Sequence, residues 1–67
     1  MPEFEVWESP GGMIWEGKDQ EEAILAALRR RRPGVIIEIA ELYNALGDLR
    51  PRRIAHIDCQ RHPERCG

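Results

Sequence analysis

Hydrophobic and polar residues alternate at the start of the chain. Phe4 and Val6 fall on one side of an extended segment, and Glu3, Glu5 and Trp7 fall on the other. A period of two is the mark of a strand with one buried face. Ser9-Pro10-Gly11-Gly12 follows, a cluster suited to a turn, and Met13 to Glu16 returns to strand-forming residues. Residues 1–17 are therefore predicted to form a β-hairpin. A hairpin alone is marginal in water, so it must lie on something else.

The period then changes. Asp19 is a good N-cap, and Glu22 stands three residues on, where a capping box wants it. Glu21 and Glu22 complement the positive end of the helix dipole, and Arg29 to Arg32 the negative end. Ile24, Leu25 and Leu28 form an apolar stripe, while Ala23, Ala26 and Ala27 permit close approach. Pro33-Gly34 stops the pattern. The prediction is a helix over 19–32.

Val35 to Leu46 carries two patterns at once. Val35-Ile36-Ile37 is β-branched and suits a short strand. Ile36, Ile39, Ala40, Tyr43 and Leu46 repeat at helical spacing, and Gly47 stands where a helix commonly ends. The favoured reading is a second helix over 36–46. Asp48 to Pro51 then makes a turn, and Pro51 opens a third helix over 51–59, with a tail over 60–67. The expected architecture is a single small α+β domain, an N-terminal hairpin packed on two or three short helices. Its expected core is Phe4, Val6, Ile14, Ile24, Leu25, Leu28, Ile36, Ile39, Leu42, Leu46, Ile54 and Ile57.

Composition narrows the class. A chain of 67 residues has room for one modest core, so a homodimer or a partner is a reasonable expectation. With 42% hydrophobic and 33% charged residues, the body of the chain is expected to fold. No apolar run reaches membrane-spanning length, and Met1-Pro2-Glu3 lacks the basic start of a secretion signal, so the expected location is the cytoplasm. The net charge of −2 hides a division: residues 1–28 sum to −6 and residues 29–67 to +4, with nine Arg in the latter. Arg suits phosphates and carboxylates better than Lys does, because its donors form a rigid fork.

Catalysis is poorly supplied. There is no Thr, and the one Ser, Ser9, lies beside Pro10 with no His near it in sequence. Gly11-Gly12 sits between strands and lacks the helix and Lys of a phosphate-binding loop. A non-catalytic protein is expected.

Three constellations remain. Ile39 to Gly47, followed by Asp48 to Ile57, resembles the helix, glycine turn and second helix of small DNA-binding domains. With Ala23 to Arg31 in front, the stretch is similar to the three-helix core of winged-helix regulators. That resemblance implies a helix-turn-helix regulator in which Arg50, Arg52 and Arg53 meet bases and phosphates, with Arg30 and Arg31 adding backbone contacts. The turn is one residue longer than usual, Tyr43 stands where a small residue is common, and Asp48 puts a negative charge at the turn.

The competing class is a protein-binding inhibitor. Trp15 to Ala23 resembles the strand-to-helix junction of HicB-type antitoxins, and small acidic phage proteins have this general size. Trp7, Trp15 and Met13 on the hairpin would form the contact patch. Third, His56, Cys59, His62 and Cys66 fall within eleven residues, spaced H-x2-C-x2-H-x3-C. Three states fit this spacing: a structural zinc site, a Cys59–Cys66 disulfide, or two free thiols.

Overall fold

The computed structural model describes residues 3–66, Arg65 through its backbone only. Strand β1 (Phe4–Ser9) and strand β2 (Gly12–Gly17) form the expected hairpin, followed by helix α1 (Gln20–Arg30). Strands β3 (Ile36–Ala45) and β4 (Asp48–Asp58) and a 3-10 turn at Pro63–Arg65 complete the chain. The four strands make one antiparallel sheet in the order β2-β1-β3-β4.

The helices expected over 36–46 and 51–59 are therefore strands, and the helix-turn-helix architecture is overturned. The physical reason is non-local. β1 pairs with β2 along one edge only, and its other edge needs backbone partners that a helix cannot give. The β-branched run of β3 supplies them, from Phe4 opposite Glu41 to Ser9 opposite Ile36. The glycine expected to end a helix, Gly47, instead sits in a two-residue hairpin turn at φ 90°, with Leu46 before it at φ 53°. Positive φ at both central positions is what a tight hairpin turn requires. Pro51 tolerates β4 because that strand lies at the sheet edge, where a missing N–H is least costly.

Helix α1 begins as read. The Asp19 carboxylate accepts from the Glu21 backbone N–H at 2.9 Å, and Glu21 and Glu22 occupy the first turn. Its rotation is not as read. Ala23 and Ala27 are fully buried against the sheet, while Ile24, Leu25 and Leu28 are 41–49% exposed. The sheet brings the bulk, from Phe4, Val6, Ile37 and Ile39, with Trp15 packed against them. The helix brings small side chains, so the two layers approach closely.

The rest of the core follows the same sheet face. Phe4, Val6 and Ile39 are buried as expected, joined by Val35, Ile37 and Cys59. Ile14 and Ile57 pack against this cluster, while Ile36 and Leu42 are half-buried. Leu46 stands wholly in solvent at 106% relative exposure, and Ile54 is exposed at a bulge in β4. Beyond the Phe4–Glu41 pair, Tyr43 to Arg50 pair only across the β3–β4 hairpin, which projects as an arm and gives the molecule extents of 41 × 19 × 17 Å.

Candidate functional site

Helix α1 packs on β1, β2 and β3, and covers one face of the sheet. Among the described residues, no α-helix packs on the other face. Residues opposite one another in antiparallel strands share a face, so the register lays out this open surface in rows. One row runs Glu16, Glu5, Ala40, Arg53, and the next runs Met13, Trp7, Glu38, His56. Trp7 and Met13 are cross-strand partners, each 43% exposed. The indole Nε1–H of Trp7 donates to the Glu5 carboxylate at 3.2 Å, which holds the ring in place.

A concavity of about 590 Å³ opens on this face. Trp7, Glu5 and Glu38 stand on one side of it, Pro51 and Arg53 on the other, with the small side chain of Ala40 between them. Arg53 reaches Glu38 across 3.8 Å, the long end of an ion pair. The twist and bulge of β4 near Ile54 bring Pro51 and Arg53 to this rim.

Glu8 closes one end of β1 by a different chemistry. It alternates onto the helix side, is 5% exposed, and is clamped by Arg32 at 3.1 and 3.2 Å and by Arg30 at 3.5 Å. Burial pushes its carboxyl pKa up, but the hydrogen bonds and positive charges of Arg30 and Arg32 outweigh this and hold it below the ordinary 4.5. The clamp ties the end of α1 to β1. Sequence reading placed Arg30 in a nucleic-acid site and did not foresee the pairing, because the partners lie 22 residues apart.

The other residues singled out from the sequence are dispersed. Arg50 and Arg52 lie on the helix side of β4 and Arg53 on the open side, so successive residues of a strand separate the trio. Arg52 pairs with Glu41 at 2.9 Å and lies over the Tyr43 ring at 5.7 Å, and Arg50 approaches Asp48 at 4.0 Å. Arg31 is the exposed C-cap residue of α1. Of the three hairpin residues, Trp7 and Met13 meet on the open face. Trp15 does not join them. Its ring covers Gly17 on the helix side, where a Cβ at residue 17 would come within 2.7 Å of it.

The tail adopts the disulfide state. Cys59 and Cys66 are bonded, with Cα atoms 5.8 Å apart, and Cys59 is fully buried. Both sulfurs are taken up in this bond, so His56, Cys59, His62 and Cys66 do not form a four-ligand set in this state. Among the described residues, no group of three or more His, Cys, Asp or Glu side chains is arranged to hold a metal ion. His56 and His62 border a second hollow with Asp58 and Arg61, and His62 Nδ1 lies 3.4 Å from the Glu64 carboxylate. The Asp58 carboxyl lies below its ordinary value, chiefly because the Arg61 backbone N–H donates to it, with Gln60 adding a second such bond.

Among the described residues, no helix is long and apolar enough to cross a membrane. No protein-family model, no curated protein and no solved structure matches the chain.

Proposed function

We propose that this protein is a non-catalytic binding module that receives another protein on the open face of its sheet. One observation carries the reading: Trp7 and Met13 lie side by side on the uncovered face, and Trp7 borders a concavity that Ala40 also lines. A large aromatic and a flexible thioether at the centre of a patch are what interface cores favour. Trp7 lies outside the buried core cluster and keeps 43% of its surface exposed, on the face that helix α1 does not cover.

The nucleic-acid reading rested on three guanidinium groups projecting together from a helix. Arg50, Arg52 and Arg53 stand instead on a strand, divided between its faces and each within 4.0 Å of a carboxylate. That arrangement favours the protein-binding alternative. The helix stripe Ile24, Leu25 and Leu28 is a second exposed apolar surface, and Leu25 borders a smaller hollow with Glu22 and Arg29.

A photo-crosslinking residue at position 13, exposed to extract of the native host, tests the proposal. A defined protein adduct is expected, lost on Trp7→Ala and absent when the crosslinker stands at position 25. Equal labelling from positions 13 and 25, or adducts indifferent to Trp7→Ala, would refute it. Salt-sensitive DNA retention abolished by R50A/R52A/R53A would support the nucleic-acid alternative instead.

A further inference from the structure

Resting on the reading of the open face as a protein-docking surface, we infer that its partner is a basic segment, one of whose Arg or Lys side chains lies on the Trp7 indole between Glu5 and Glu38. The open face is complementary in charge to such a segment. The open-face strand positions Glu5, Glu16, Glu38 and Asp58 are acidic and Arg53 is basic, a sum of −3 with His56 neutral, and Arg61 just beyond β4 borders the Asp58 end. The whole chain carries −2, and Glu5, Glu16 and Glu38, away from Arg61, hold the acidic excess of this face.

The charge decides between occupants. A second copy docking by two-fold symmetry would bring this acidic face against itself, with one Arg53 per copy to offset Glu5, Glu16 and Glu38. A polyanion such as nucleic acid meets the same repulsion. A cationic partner is drawn to the face and gains at each carboxylate.

The centre of the face suits a cation in particular. A guanidinium or ammonium within about 6 Å of an indole centroid is attracted by the negative face of the ring. The Trp7 ring is steadied at its edge by Glu5, which leaves the exposed ring surface for contact. Among the described residues, the cation–ring pair is Arg52 over Tyr43, on the opposite face of the sheet, and none of their cations lies on Trp7. The Glu38 carboxylate pairs with Arg53 at 3.8 Å, an exposed pair of the weak, displaceable class. An incoming cation can take Glu38 over, while Pro51, Ala40 and Met13 supply apolar contact for the rest of the segment.

The test uses the full chain and three synthetic peptides of one length: alternating apolar and Arg/Lys residues, the same with Glu in place of each base, and the same with Gln. The readout is the pair of indole N–H resonances, assigned with Trp7→Phe. Trp15, on the helix side, is the internal control. The basic peptide is expected to move the Trp7 signal and leave Trp15 in place. Its affinity should fall tenfold or more in E5Q/E38Q, and several-fold between 50 and 300 mM salt, as the screening length shortens from roughly 14 to 6 Å. If the Gln peptide binds as tightly as the basic one through Trp7, the docking face stands and the cationic partner falls. If the Glu peptide binds best, or E5Q/E38Q leaves affinity unchanged, the inference is likewise overturned. If no peptide moves Trp7, the inference and the docking face fail together. Circular dichroism of each variant checks that the exposed substitutions leave the fold intact.

Discussion

The rotation of helix α1 yields the sharpest test, because sequence pattern and structure make opposite forecasts. Consider Leu25→Ala and Ala27→Leu. Leu25 is 49% exposed, so only about half of a leucine's burial is lost on truncation. Full burial of such a side chain stabilises by about 1.5–3 kcal/mol, and half is about 0.7–1.5 kcal/mol. Alanine's better helix propensity returns a few tenths. Leu25→Ala should therefore cost about 1 kcal/mol or less. Ala27 is fully buried between helix and sheet, with Phe4, Val6 and Ile37 in the same cluster. Three added carbons must displace packed neighbours, so Ala27→Leu should cost about 1–3 kcal/mol. Were Leu25 in the core, as its apolar stripe suggests, its truncation would cost about 2–5 kcal/mol and Ala27→Leu would be near neutral. Urea unfolding followed by far-ultraviolet circular dichroism, extrapolated to water, measures both. A cost above about 2 kcal/mol for Leu25→Ala, with Ala27→Leu within about 0.5 kcal/mol of wild type, would show the helix to be turned the other way.

Three further outcomes are expected. Reduction of the Cys59–Cys66 bond, or Cys66→Ser, frees a loop of sequence separation 7; closing a loop of that size is worth about 2.4 kcal/mol in chain entropy, so a melting temperature lower by roughly 10–20 °C is anticipated, and an unchanged one would argue against the bond. Glu8 has a depressed folded pKa, so its stabilising effect is present above its ordinary 4.5 and lost as pH falls through the folded value; Glu8→Gln should flatten the acid limb of a stability–pH profile, and a profile identical to wild type would rule out the Arg30–Arg32 clamp. Leu46 is an exposed non-glycine residue at φ 53°, so Leu46→Asn should stabilise the hairpin by about 0.5–1 kcal/mol, whereas a loss of 2 kcal/mol or more would restore Leu46 to a core.

Local signals were legible wherever one pattern stood alone. The alternation of Phe4, Val6 and their neighbours, the Ser9–Gly12 turn cluster and the Asp19 cap each describe short-range chemistry, and each has its structural counterpart. The Trp7–Met13 pair was also within reach, since both lie on the predicted hairpin. What could not be read locally was which of two compatible patterns wins. Ile36, Ile39, Ala40, Tyr43 and Leu46 fit a helix, while Ile37 and Ile39 fit a strand, and the choice falls to the unpaired edge of β1, more than 25 residues away. The same holds for α1, where either the Ala or the Leu stripe could face inward until the bulk of Phe4 and Ile37 on the sheet left room only for the small one. The arginines that seemed to converge on one helix were divided by the two-residue period of a strand, and Glu8 found its bases only once the chain had folded back. The residues alone determined capping, turn chemistry and the first hairpin, because those depend on neighbours in sequence. Pairing, helix rotation and charge placement depend on backbone groups and volumes brought from far along the chain, and only the tertiary structure decided them.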